Sequence, residues 1–569
     1  MVTLPSSLVG RERERERLAA ALAEAGQAGA GLAVVTGPPG IGKTALVRDL
    51  ADRSGRRSLW ARCVPWEANL PFGVVGQLLQ PADLPSDPAG DPLSDPLAVA
   101  AFLAEWIGTS PTLITVDAAE HADRPSLRAL SSLVRQHRCV PVFIAVTATF
   151  SPGPPELAGL GHEIELSGLD ATAIGELARM HGRIPHPAVV ERLRRHTAGN
   201  PRDLLGLLDE LPDARWAAVN QALPAPRHVM AQTRENLAGC GAGGRALVEA
   251  FAILESAADG IGETGLAEAI ALAGIADPFA AQDEATGSGL LTSRIAGEPH
   301  LVNPMIRAAV LESLGAVRRA ELHDKASRVV SDPARRLRHR VATTDLPDAA
   351  LAGELDTVAT ECSARGEWGA AAKLLWEASQ LTTESLPRDD RLVRSFDAMV
   401  ADGDILAATS LVPALESLRE TPRRDAALGY LAVIRGRAAE ADARLRRAWD
   451  IVNTDRDPQV AAQIAQRCTL HMLSRCRGAE LVRWADTAVR LVGPDSPAGL
   501  EAAAIRGLGL AADGRSDEAE RAYLALAARV PHGAQAQRIA MGHGWLQLGE
   551  DDLDAARSSL ESAVSTAFL

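Results

Sequence analysis

GPPGIGKT, Gly37 to Thr44, is the first stretch whose residue types and spacing can do chemistry. It reads GxxxxGK[ST], with glycines where backbone N–H groups must turn inward onto phosphate oxygens. Gly37, Pro38, Pro39, Gly40, Ile41 and Gly42 would form the cradle, with the amides of Gly40 and Gly42 facing phosphate. Lys43 would reach the outer phosphates, and the Thr44 hydroxyl would ligate Mg²⁺. The second stretch is LITVDAAEHAD, Leu113 to Asp123. Apolar and β-branched residues run into Asp117, an arrangement that presents an acid to Mg²⁺ beside Thr44. Many nucleotide-cleaving sites place a second acid next, to handle the attacking water. Here the next residue is Ala118, and the nearby acids are Glu120 and Asp123. Asp117 and Glu120 are thus the candidate catalytic acids. Glu120 either swings back toward Asp117 or stays in water, and its spacing favours water.

These residues need strands to hold them. LAVVT (32–36) reads as a short buried strand before the loop, and ALVRDLADR (45–53) as the helix after it. That context argues against a chance glycine turn, and the helix N-terminus adds partial positive charge. RRSLWARC (56–63) reads as an intervening strand, and VPVFIAVTAT (140–149) as the one after Asp117. The end of the latter would bring Thr147 near a γ-phosphate. The expected fold is an open parallel α/β sheet with its ligand at the C-terminal strand ends.

The chain has 569 residues, enough for three or four domains of ordinary size. Apolar residues make up 47% and aromatics only 3%, a balance that favours helix over β sandwiches. A net charge of −14 argues against nucleic-acid binding by bulk charge, though not against a local basic patch. The cysteines, Cys63, Cys139, Cys240, Cys362, Cys468 and Cys476, form no CxxC pair. Cys468, His471 and Cys476 lie close enough to raise a metal site, but helix packing accounts for them better. No apolar run matches a signal core or a membrane span, so a cytoplasmic protein is expected.

At this point a resemblance enters. LVGRERERERL (8–18), the phosphate loop, ARCVPWEANLPFGVVGQLL (61–79) and VDAAEHADRPSLRAL (116–130) together resemble the large ATP-binding LuxR-type regulators of GC-rich bacteria. Those belong to the STAND class of signalling P-loop ATPases. The resemblance implies an N-terminal ATPase, a helical and winged-helix switch region and tetratricopeptide-like repeats. It also implies a C-terminal helix-turn-helix that binds DNA. Gly10 and Arg11 resemble the entry loop that packs on adenine, while the rest of RERERER reads as a solvated helix start. Pro201, in HTAGNPRDLLGLLDEL (196–211), resembles a nucleotide-contacting proline, and Pro at a helix start is also ordinary capping. Three positions depart from the family. Ala118 stands for the second acid. Ala148 and Thr149 stand where an arginine is frequent. Asn303, in LVNPMIRAAVLESL (301–314), stands where a histidine is usual. Each departure removes a group that senses or cleaves the γ-phosphate, so hydrolysis is expected to be slow or absent.

The remaining chain reads as helix. Residues 1–165 are expected to form the ATPase domain, 166–229 a small helical domain, 230–345 a winged-helix-like domain and 346–569 the repeats. PSDPAGDPLSDP (85–96) is a breaker-rich linker, and SPGPP (151–155) closes the sheet region. RRLRHR (335–340) is the most basic cluster; a solvated helix face accounts for it better than nucleic-acid contact. Beyond residue 350, turn glycines at Gly366, Gly403, Gly436 and Gly514 are each followed by an alanine, a larger side chain and a third apolar residue at spacings five, four and three. Looser units fall near Gly478 and at Gly549. Gly429 and Gly507 match the small residue of a first helix, and Pro531 the proline that ends a unit. Generic alanine-rich hairpins would give similar packing. No LuxR helix-turn-helix pattern is found, and ESAVSTAFL (561–569) is a poor cap for a repeat array. A shortened chain, a naturally short relative, or further protein packed at that end all fit.

Two functional readings follow. One is a switch that binds ATP or ADP with Mg²⁺ and senses a protein or small-molecule effector on its repeats. It would self-associate on opening, and contact DNA only through a domain supplied elsewhere. The other is a working ATPase that remodels or loads a partner, with the repeats as adaptor. A scaffold with purely structural nucleotide is a weaker third. None needs a membrane.

Overall fold

The structure, a computed structural model, describes residues 8–79, 95–185, 187–211, 223–257, 265–293, 299–344 and 346–565. Most of the expected linker, residues 85–94, and the final residues 566–569 lie outside the described residues. The chain divides into two compact units. One comprises residues 1–240, 286–292 and 301–313; the other comprises 241–285, 293–300 and 314–569.

The first unit is built on five parallel strands, β1 (Gly31–Thr36), β2 (Arg57–Arg62), β3 (Thr112–Asp117), β4 (Val142–Ala148) and β5 (His162–Glu165). Their order is β2-β3-β4-β1-β5, so the strand bearing the phosphate loop lies beside β4, and β4 beside β3. Successive side chains on a strand point to opposite faces. Leu32, Val34, Ile114, Val116, Ile144 and Val146 accordingly enter one core. That core also takes the apolar faces of α3 (Gly73–Leu78), α4 (Pro96–Ile107) and α5 (Arg124–Gln136). Ala33, Val35, Leu113, Phe143 and Ala145 enter the other, under α1 (Glu12–Ala28) and α2 (Lys43–Ser54). Burial on both faces explains why β1, β3 and β4 read as continuous apolar runs.

Local chemistry sets the helix starts. Asp95, Asp123 and Asp170 cap α4, α5 and α6 (Ala171–Met180) by accepting first-turn amides. Asn200 does the same for α8 (Pro201–Glu210), whose first residue is the expected Pro201. α6, α7 (Pro187–Thr197) and α8 enclose a small core of Ile174, Leu193, Leu204 and Leu207, which also takes Met305.

In the second unit, the basic stretch 335–340 lies on helix Pro333–Val341; Arg336 is exposed, as on a solvated face, while three other arginines are paired. Arg335 pairs with Glu268 at 3.0 Å, Arg338 with Glu377 at 3.1 Å, and Arg340 with Glu354. Neighbouring helices largely cover Arg335 and Arg338, and charges so enclosed keep company with opposite charges, while Arg340 and Glu354 pair at the surface. His339, wholly buried, lies 2.9 Å from His323, Nδ1 to Nδ1.

Helical hairpins follow, their first helices Ala349–Arg365, Ser385–Asp402, Pro422–Ile434, Pro458–Ser474, Pro497–Ala512 and Ala534–Gly549. The turn residue of each has positive φ: Gly366 (83°), Gly403 (84°), Gly436 (68°), Cys476 (54°), Gly514 (77°) and Asp551 (61°). The second helix starts two residues later in every case. This corrects the looser units: Cys476 and Asp551 make those turns, while Gly478 opens a second helix and Gly549 ends a first. With that register, Leu481, Ala485 and Ala488 fall into the same buried pattern as Ala441, Leu445 and Ala448. One position shifts: Leu411, not Val412, is the buried residue of the helix that contains Pro413. Cys468 and His471 are buried in helix packing, and Cys476 is exposed. A Cβ on Gly507 would lie 2.4 Å from Tyr523 Cε2, and one on Gly429 2.9 Å from Leu445, so both glycines mark close helix contacts.

Candidate nucleotide-binding site

The phosphate loop joins β1 to α2, at the C-terminal ends of the strands. Its backbone requires positive φ at Gly37 (144°), Gly40 (80°) and Gly42 (107°). At Gly40 space is also short: a Cβ there would sit 2.9 Å from both Arg202 Cβ and Asn200 Oδ1. Lys43 Nζ donates to Gly37 O at 2.6 Å and Pro38 O at 3.0 Å, which aims the ammonium along the loop. Burial lowers its pKa, opposed by the charges of Glu120 and then Asp117.

Thr44 is the second residue of α2, after Lys43, and its Oγ1 donates to Asp117 Oδ1 at 2.8 Å. Asp117 ends β3 and is 8% exposed. Thr147, one residue before the end of β4, donates to the same Oδ1 at 2.7 Å and accepts the Ala118 N–H at 2.9 Å. Ala118 is left-handed, φ 60° and ψ 52°, a backbone that a side-chain-bearing residue seldom adopts. A hydroxyl and a carboxylate at this separation are hard oxygen donors suited to Mg²⁺. Thr44 and Asp117 therefore fit the ion, which when bound would supply charge neutralisation at the phosphates.

Glu120 lies exposed in the turn after β3 and is not loose there. Its carboxylate accepts Thr149 N–H at 3.3 Å and the Thr149 hydroxyl. Thr149 is thus the residue that anchors Glu120. Asp123 is spent on structure: 2% exposed, it accepts Phe72 N and Ser126 N at 2.8 Å and Val74 N at 3.0 Å.

Residues outside the motif hold the loop. Arg11 is 3% exposed; its Nη2 donates to Ile41 O at 3.1 Å and Ser167 O at 2.6 Å, and burial lowers its pKa. Gly10 packs so closely on α6 that a Cβ would lie 2.3 Å from Ala173 Cβ. The following Arg13 and Arg17 are exposed. At the other side, Asn200 Nδ2 donates to Pro39 O at 2.9 Å while its Oδ1 accepts Arg202 N at 3.1 Å. Pro201 is thereby held at the loop's tip. Asn200 and Arg202 are the residues sequence reasoning missed. Asn200 carried a local signal, a capping residue before a helix-starting proline, but nothing local announces a partner 161 residues away. Asn303 caps helix Pro304–Ser313 through Met305 N and Ile306 N.

The AAA ATPase domain family matches residues 7–145. No curated protein matches the chain. Among solved structures, a STAND signal-transduction ATPase with a tetratricopeptide-repeat sensor from Pyrococcus horikoshii is 15% identical, covering 99% of this chain and 84% of its own, with a TM-score of 0.32. A Walker-type ATPase of Pyrococcus abyssi is 14% identical over 54% of this chain and 97% of its own, TM-score 0.37. Cdc6p from Pyrobaculum aerophilum is 13% identical over 55% and 95%, TM-score 0.31. These are distant likenesses. Among the described residues, no helix is long and apolar enough to cross a membrane. The stretch that matches the AAA ATPase domain family carries the glycine cradle after β1 and the Thr44–Asp117 pair between α2 and β3.

Proposed function

We propose that the chain is a STAND-type signalling switch that binds ATP or ADP with Mg²⁺ and acts in transcriptional regulation, reaching DNA through a part supplied elsewhere. One observation carries this reading: Thr44 and Asp117 stand 2.8 Å apart in a complete cradle, while the residue after Asp117 is Ala118. The groups that hold a nucleotide are present, and the usual second acid is replaced by a methyl group. Loss of such a group slows catalysis by roughly two to four powers of ten, against which binding is untouched. Lys43, Thr44 and Asp117 are assigned to the phosphates and Mg²⁺, with Gly37, Pro38, Pro39, Gly40, Ile41 and Gly42 as the cradle. Gly10, Arg11 and Pro201 are assigned to the nucleotide's surroundings. The helical hairpins are assigned the effector or partner, and binding there would shift closed and open populations in the cytoplasm, with self-association on opening.

The test is thermal unfolding with and without Mg·ADP. The wild-type chain is expected to gain several degrees at saturating ligand, and Lys43→Ala to gain none. An equal gain in both would remove the assignment.

A working ATPase is the second reading, favoured by Glu120. Its carboxylate is fixed by Thr149 and its charge acts on Lys43. Stimulated turnover that falls in Glu120→Gln would support it.

A further inference from the structure

Thr147 sits at the site with its one donor proton already committed. It is 1% exposed and follows the pairing Val116↔Val146, which sets Asp117 and Thr147 level at the ends of adjacent strands. A threonine hydroxyl has one proton and two lone pairs. The proton goes to Asp117 Oδ1 at 2.7 Å. One lone pair takes the Ala118 N–H at 2.9 Å. A phosphate oxygen only accepts, so this hydroxyl cannot hold Asp117 and also donate to a γ-phosphate. The same oxygen of Asp117 receives Thr44. The Ala118 turn is left-handed at φ 60°, a conformation that persists only where its surroundings hold it.

We propose that Thr147 is a positioning residue for Mg²⁺. It aims the Asp117 carboxylate at Thr44 and pins the Ala118 turn, and it makes no γ-phosphate contact. This departs from the expectation of a γ-phosphate contact placed on Thr147 by the sequence, and it rests on the nucleotide-binding reading above. Partners of metal-binding groups typically shift metal affinity by about 10- to 100-fold when removed.

The experiment is calorimetric binding of ADP and ATP to the full chain, in Mg²⁺ and in EDTA, for wild type, Thr147→Val and Thr147→Ser. In EDTA, Thr147→Val is expected to keep wild-type affinity within about twofold and the same ATP-to-ADP preference. In Mg²⁺ it loses about tenfold or more of the tightening that the ion provides. Thr147→Ser keeps that tightening. If Thr147→Val does not fold, Thr147→Cys replaces it, since a thiol keeps the size but donates weakly, and the same loss is expected. Intact tightening in the Val or Cys chain overturns the inference. So does a fallen ATP preference with tightening intact, which would mark a γ-phosphate contact. Wild type that binds nucleotide with no Mg²⁺ tightening overturns it while leaving the nucleotide reading standing. Wild type that binds no nucleotide overturns both.

Discussion

Arg11 shows how a side chain outside the motif bears on the site. It joins the P-loop at Ile41 to Ser167, and it is charged and buried, with two carbonyls and the Glu14 carboxylate as partners. Replacing it by methionine keeps the apolar stem but leaves two carbonyls without their donor. Hydrogen bonds from charged groups contribute about 1.5–3 kcal/mol each, and unpaired buried acceptors add to the loss. Arg11→Met is therefore expected to lower stability by about 2–4 kcal/mol in urea titrations and to weaken ADP binding. A change below about 0.5 kcal/mol would mean that the brace is ornamental. This residue also marks a limit of sequence reading. The resemblance of Gly10 and Arg11 to an entry loop pointed to this residue, but its partner Ser167 lies 156 residues away, and no periodicity encodes such a pairing.

At the scale of elements, close packing in the hairpins opposes intrinsic propensity. Gly507 lies inside helix Pro497–Ala512, where alanine would ordinarily favour helix by about 1 kcal/mol. A Cβ there meets the ring of Tyr523, which is fully buried and donates its hydroxyl to Ala504 O at 2.6 Å. Overpacking costs about 1–3 kcal/mol, so Gly507→Ala should destabilise. A stabilised Gly507→Ala chain would show that the ring gives way. The repeat pattern itself was legible because turn glycines and small residues recur at fixed spacing. Cys476 and Asp551 escaped it because they adopt the left-handed turn without being glycine. Helices Ala316–Val329 and Pro333–Val341 meet through His323 and His339. Burial lowers both pKa values from 6.5, with Arg319 acting on His323 and Arg335 and Arg338 on His339. The unfolded chain therefore binds more protons than the folded one from about pH 6.5 down to about pH 4. Stability should fall across that window as pH drops. His323→Phe with His339→Leu should flatten the slope in urea midpoints measured from about pH 7.5 to about pH 4.5; an unchanged slope would place the titration elsewhere.

Across the whole molecule, the centre of the parallel sheet was readable because β1, β3 and β4 are apolar on both faces and the loop motif stands between strand and helix, whereas β5, with one buried side chain, gave no such run. Asp117, Thr44 and Thr147 converge because β3 and β4 are neighbours, as the order of strands required. Less legible were the interactions that make each part rigid, such as the ion pairs of 335–340 and the hold of Asn200 on Pro39. Those depend on which helices meet, and a charged residue reads alike whether it is solvated or paired. The central claim is that this molecule holds nucleotide rather than consuming it. The most direct test is to load the chain with Mg·ATP, remove free nucleotide, denature samples over time and identify what was bound. Intact ATP persisting for hours is predicted, and ADP appearing within minutes would contradict the claim.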